Sequence, residues 1–156
     1  PEARRRRRRV CLMAAKLQGY KPPAFWDRIG NIRGVVSIPG IANGEIWTAD
    51  DAARARLESG CEDLMLGRGA VADPRLVSVL RHGAESDWNA ILPILQQFWV
   101  DVAGTGTDAQ LAGRIKQWVG YLRPRWAPAA QLPGELKRAT RPPGISRVLG
   151  DLRPLT

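Results

Sequence analysis

Apolar positions run at helical spacing through the second half of the chain and in short unbroken blocks through the first. Trp88, Ile91, Leu92, Leu95, Phe98, Trp99 and Val102 fall three or four residues apart, the spacing that gathers side chains on one face of an α-helix. Pro93 falls at a kink or near the first turn of that helix. Gly104-Thr105-Gly106-Thr107 breaks the pattern, and Asp108 is read as the cap of a second helix reaching Leu122, with Leu111, Ile115, Trp118, Val119 and Leu122 as its apolar stripe. The proline- and arginine-rich end predicts two further short helices.

The first half follows a different rhythm. Lys21-Pro22-Pro23 reads as extended and Phe25 to Ile29 as a short helical piece. The β-branched stretch Val35 to Ala42, bounded by Asn43-Gly44, predicts a buried strand of the parallel-sheet kind. Pro39 and Gly40 lie inside it and weaken it. Thr48 as N-cap, Asp50 and Asp51 in the first turn and Gly60 at the stop then predict a helix. Asp63 to Leu66 is a second short strand, followed by Gly67-Arg68-Gly69-Ala70 and a helix near Pro74 to Leu80. Strand, helix, strand, helix within about 45 residues is a parallel α/β arrangement. The change of rhythm places a domain boundary near residue 84.

Composition narrows the class. With 156 residues and 44% apolar positions the chain reads as a globular protein of one ordinary or two small domains. The formal charge of +9 invites a polyanion, but six of the 24 basic residues form the run Arg4 to Arg9, and without it 18 remain against 15 acidic ones. A nucleic-acid reading therefore rests on where individual Lys and Arg residues sit. Cys11, Cys61 and the single His82 cannot build a zinc site or a disulfide framework, which suits a reducing, cytoplasmic setting with no metal. His82 is expected at the surface or a helix end. No apolar run reaches the ~20 residues that span a bilayer, and Lys16 interrupts the apolar block after the Arg run too early for a signal peptide.

The candidate chemistry lies at the ends of the two strands. Asn43-Gly44-Glu45 follows one and Gly67-Arg68-Gly69 the other. Glycines let backbone N–H groups approach a phosphate closely, and Arg68 can add a charge-assisted contact. Either motif alone is an ordinary turn; their repetition after neighbouring buried strands favours an anion site. On the helix ending at Leu122, about 100° per residue sets Lys116 and Arg123 on one flank of the apolar stripe and Arg114 with Tyr121 on the other. Such charges can hold RNA phosphates and Tyr121 can meet a nucleotide, although a solvated basic face would look the same. Trp99 and Trp118 are expected in the core; Trp26 and Trp47 stay ambiguous.

Ile41-Ala42-Asn43-Gly44-Glu45-Ile46-Trp47, Met65-Leu66-Gly67-Arg68-Gly69-Ala70, and Arg114-Ile115-Lys116-Gln117-Trp118 with Tyr121-Leu122-Arg123 resemble the tRNA-dihydrouridine synthases, most closely the bacterial subgroup acting on position 16 of the D-loop. The resemblance runs from about Lys16 to Leu149. It implies the last strands of a flavin-binding TIM (β/α)8 barrel over residues 16–84 and an α-helical tRNA-binding domain over 85–156, in an enzyme monomeric at full length. It implies FMN held at Asn43, Gly44, Glu45, Gly67 and Arg68, NADPH as reductant, and tRNA contacts at Arg114, Lys116 and, on a looser alignment, Lys137.

Three departures from the family stand out. The family's proton-donor cysteine stands on a loop in the first half of the barrel, and neither Cys11 nor Cys61 matches its context. Leu12 stands where the family has a flavin-contacting histidine, and Gly40 where a branched residue is usual. Residues 1–15 thus read as an aberrant or disordered Arg-rich start, such as a shifted frame, and the chain as a C-terminal part that does not turn over alone. The Arg run also allows a nuclear-localisation or nucleic-acid patch. Two other functions fit the residues: a stand-alone tRNA-binding module without flavin, and a different FMN barrel such as a dihydroorotate-type dehydrogenase, which explains the glycine loops but not the RIKQW helix.

Overall fold

A run of β-branched residues is not by itself a strand, and the segment after Phe25 shows why. Trp26 and Ile29, three apart, are both buried, and their spacing carries helix α1 (Trp26–Val35) through residues whose remaining faces are solvated. The expected strand from Val35 is correspondingly shorter. Val35, Val36 and Ile38 are exposed, Pro39 can donate no ladder bond, and β2 comprises only Gly40–Asn43. The computed structural model describes residues 9–13 and 23–151. Lys16, the Leu17 to Tyr20 stretch, the extended Lys21-Pro22 and Arg4 to Arg8 lie outside them.

β1 (Val10–Met13), β2 and β3 (Asp63–Met65) form a parallel sheet in the order β1-β2-β3, with Met13 paired to Asn43 and Asn43 to Met65. Val10–Met13, inside the start expected to be aberrant or disordered, forms the strand beside β2, and the sheet crowds Gly40. A Cβ there would stand 3.0 Å from Leu12 Cδ1 and 3.1 Å from the Cys61 sulfur, so a branched residue would require both side chains to give way.

Helix α2 (Ala49–Ser59) starts at the expected cap. Thr48 Oγ1 accepts from the Asp51 N–H at 3.1 Å, the Asp51 carboxylate accepts from the Thr48 N–H at 3.0 Å, and Gly60 ends the helix at φ 64°. Thr48→Ala is expected to lower stability by about 1 kcal/mol, read as a shift in the urea midpoint; an unchanged midpoint refutes the cap's contribution.

The glycine loop after β3 is itself helical: α3 spans Gly67–Ala72 and α4 Leu76–His82, with His82 exposed at its end. Beyond it come α5 (Trp88–Val102, with Pro93 inside it), α6 (Asp108–Leu122), α7 (Ala127–Arg138) and α8 (Pro142–Gly150). Thr107, not Asp108, caps α6, accepting from the Gln110 N–H. One core of Leu95, Ile115, Leu122, Leu132, Leu136 and Ile145 joins α5 to α8.

The chain divides into two compact units, residues 1–69 and 70–156, fifteen residues before the boundary expected near 84. Indole N–H groups of Trp118 and Trp126 donate to the carbonyls of Val71 (2.8 Å) and Ala72 (2.7 Å), and Asp73 pairs with Arg125. These contacts tie residues 71–73 to the helices that follow. No helix among the described residues is long and apolar enough to cross a membrane.

Candidate functional site

In the first unit the two glycine loops emerge from neighbouring parallel strands at the same end of the sheet. Asn43 closes β2 opposite Met65, the last residue of β3. Among the described residues the Asn43 side-chain amide reaches only sulfur atoms, Met65 Sδ at 3.3 Å and Cys11 Sγ at 3.8 Å. Sulfur is a weak acceptor, so this donor has hydrogen-bonding capacity to give to an anion.

The loop behind Asn43 is bent into an uncommon shape. Gly44 has φ 131° and Glu45 φ 48°, the only non-glycine positive φ among the described residues. Such a conformation costs of order 1 kcal/mol and persists where the surroundings over-determine it. Here two tryptophans and an arginine do so. Buried Trp26 donates its indole N–H to the Gly44 carbonyl at 2.9 Å, Trp47 donates to Glu45 Oε2 at 2.9 Å, and Arg68 forms an ion pair with Glu45 Oε1.

Arg68 also lies over the Trp47 ring, 5.5 Å from its centroid, yet its side chain is 49% exposed. It is held in place with guanidinium donors still facing solvent. Gly67, at φ 44°, has open space around it, since an added Cβ would meet only Asn43 Oδ1 at 3.9 Å. All five residues expected to bind cofactor are therefore at one sheet end, and their donors suit a phosphate: an amide without a strong acceptor, a partly free guanidinium and two positive-φ glycines. Trp26 and Trp47, left ambiguous by sequence, shape this loop; indoles flanking an Asn-Gly pair were the available signal.

In the second unit α6 presents two different flanks. Lys116, Arg123 and Lys137 border one groove of about 230 Å³, with Gly120 on its floor. Arg114 lies on the other flank, on an aromatic groove of about 440 Å³ with Val71, Phe98, Trp118 and Tyr121. Arg114 donates to Thr105 Oγ1 at 2.8 Å, and the rings of Phe98 and Trp118 meet edge to face with centroids 4.6 Å apart. Trp118, expected in the core, is only partly buried because its ring walls this groove. The expected RNA contacts thus split, Lys116 with Lys137 and Arg114 apart from both. Among the described residues no group of His, Cys, Asp and Glu could hold a metal ion; both cysteines are free, Cys11 exposed and Cys61 buried.

A small parallel sheet with two glycine-bearing segments at one end, in a chain whose other unit is a helical bundle with basic grooves, defines an α/β class of protein. Comparison with known proteins narrows it. The family described as Dihydrouridine synthase (Dus) matches residues 7–107. The tRNA-dihydrouridine(16) synthase of Pseudomonas putida is 41% identical over 141 residues, 86% of this chain and 44% of the relative. That of Ralstonia nicotianae is 41% identical over 125 residues, 77% and 38% of the two chains, and that of Escherichia coli O157:H7 35% identical over 136 residues, 86% and 43%. The chain belongs to the dihydrouridine synthase family, and it spans less than half the length of these relatives. The family match begins at residue 7, ahead of Lys16, where the resemblance was expected to start, and the dihydroorotate-type alternative is set aside.

Proposed function

We propose that this chain is the C-terminal part of a tRNA-dihydrouridine synthase that reduces a D-loop uridine, at position 16, with the cofactor corner in its first unit and a tRNA-binding surface in its second. The observation that carries the reading is the pair of loops on adjacent parallel strand tips, Asn43-Gly44-Glu45 with Gly67-Arg68, inside the family-matched stretch. In that reading the three-stranded sheet belongs to a TIM barrel, which needs ~200 residues or more to close.

Asn43, the loop N–H groups at Gly44 and Glu45, and Gly67 with Arg68 would hold the phosphate of FMN. Bound there, FMN with NADPH as electron source supplies hydride to the uracil ring. Glu45 keeps Arg68 aimed and partly neutralised until the phosphate arrives. Arg114, Lys116 and Lys137 contact tRNA, Lys116 and Lys137 from one groove. The reaction is cytoplasmic and the full-length enzyme monomeric. Neither cysteine is assigned proton donation; Cys61 is sealed in the core.

Given FMN, NADPH and unmodified tRNA, the 156-residue chain alone is expected to form no dihydrouridine. Grafted in place of the corresponding stretch of the Pseudomonas putida relative, it is expected to restore product at position 16. Turnover by the chain alone would overturn the fragment reading, and a folded but inactive chimera would overturn the functional one. A flavin-free tRNA-binding module remains the second reading, favoured by Lys116 and Lys137 sharing a groove; retained tRNA affinity without FMN binding distinguishes it.

A further inference from the structure

Helix α6 carries a second regularity besides its apolar stripe. Gly113, Lys116, Gly120 and Arg123 follow one another at intervals of three, four and three residues, within an arc of about 80° at 100° per residue. Lys116 borders two grooves at once. One contains Gly120, Arg123 and Lys137; the other, of about 510 Å³, contains Asp108, Ala112, Gly113 and Arg141. The grooves therefore meet at Lys116 and run along the same helix. Among the described residues no carboxylate forms an ion pair with Lys116, Arg123, Lys137 or Arg141, and Asp108 is the one acidic residue on the walls of either groove.

The two glycines need an explanation that packing within the chain does not give. A Cβ at Gly113 or Gly120 would meet nothing within 4 Å, and neither has a positive φ. Glycine inside a helix costs about 1 kcal/mol relative to alanine. Glycine here lowers helix stability and satisfies no contact of the folded chain. What it does provide is a low floor between flexible basic side chains, where an extended anionic backbone can lie close to the helix.

Resting on the tRNA-binding reading above, we infer that α6 carries a continuous phosphate track, in which Arg123 and Arg141 join Lys116 and Lys137 in holding consecutive phosphates of one RNA strand, and Gly113 and Gly120 leave the space the strand occupies. From Gly113 to Arg123 the helix rises about 15 Å, long enough for a short run of nucleotides. Positions of this kind carry no base information and fix register along the strand. The aromatic groove at Arg114 and Tyr121 is on the other flank and does not belong to the track.

The test uses the full 156-residue chain and an unmodified tRNA transcript, with affinity measured across a salt series. Arg123→Gln and Arg141→Gln are each expected to weaken binding about two- to fivefold and to lower the slope of log affinity against log salt by about one, like Lys116→Gln. Gly120→Leu is expected to weaken binding by about tenfold or more by filling the track, while its thermal midpoint stays equal or rises because leucine is the better helix former. A residue with a merely structural role would move both readouts the same way. If Lys116→Gln weakens binding but the Arg123, Arg141 and Gly120 variants leave affinity and slope unchanged, the track is refuted and the tRNA-binding reading stands. If Lys116→Gln also has no effect, or the chain does not bind tRNA, both fall. Poly-glutamate of matched charge binding as tightly as tRNA would overturn the choice of RNA.

Discussion

Arg125→Ala is expected to lower the stability of the helical unit by about 3 kcal/mol, the largest loss of any single exposed-to-partly-buried position described above. Its partner Asp73 is fully buried. Asp73 Oδ1 accepts from Ser86 Oγ at 2.8 Å and from the Arg75 N–H at 3.0 Å, while Oδ2 lies 2.9 Å from Arg125 Nη2 in an ion pair whose angle falls short of an aligned hydrogen bond. Removing the guanidinium leaves a carboxylate with no access to water and only half its oxygens satisfied. Arg125 also lies over the Trp126 ring, 5.0 Å from the centroid, and that contact is lost too.

The reverse change is expected to cost less. Asp73→Asn keeps an acceptor for Ser86 and Arg75, and Arg125, with 29% of its side chain exposed, can turn toward solvent. Denaturant unfolding of the two single variants and the double variant measures the pair directly. A double variant no less stable than Arg125→Ala alone supports a coupled pair. Strict additivity, with Arg125→Ala costing under about 1 kcal/mol, would show that the contact is incidental.

Arg68→Ala is expected to reduce FMN affinity by about 10- to 100-fold, the magnitude of hydrogen bonds to a charged group, and to leave riboflavin affinity little changed. The distinction isolates the phosphate, which riboflavin lacks. Arg68→Lys should recover only part of the loss, because an ammonium reproduces neither the planar fork nor the position over Trp47. The ratio of the two affinities, from quenching of flavin fluorescence, is the deciding measurement. Equal losses for both flavins would place Arg68 in folding of the loop rather than in phosphate binding.

The parts of the fold that were legible in the sequence are those fixed by local chemistry. Thr48, Asp51 and Gly60 bracket α2 because a capping box and a left-handed stop are written in adjacent residues. The stripes on α5 and α6 were readable because burial there depends on helical periodicity alone. The misplaced elements depend on distant partners. Val35 and Val36 have strand-like chemistry, but α1 consumes the first and solvent surrounds both. Gly67 to Ala70 look like a loop and form the first turn of α3. The division into compact units falls ahead of the change of rhythm near 84, and hydrogen bonds from Trp118 and Trp126 reach back more than 45 residues into the intervening stretch.

The candidate site shows the same division. The neighbouring strand tips followed from two glycine motifs each placed after a strand, and the sheet register brings them together. The tryptophan pins on Gly44 and Glu45, and the separation of Arg114 from Lys116 into different grooves, required side-chain positions. Helical geometry had already assigned Lys116 with Arg123, and Arg114 with Tyr121, to opposite flanks; what it could not supply was Arg141, which comes from beyond α7.

Trp118 has one further consequence. Its indole nitrogen is anchored to Val71 while its ring walls the aromatic groove, whereas Trp126 is closed off in the interior. Among the four tryptophans of the helical unit, Trp118 and Trp126 are thereby native fluorophores in contrasting surroundings. One senses what enters a surface cleft, the other senses loss of tertiary order, and ligand titrations can be followed without attaching a dye.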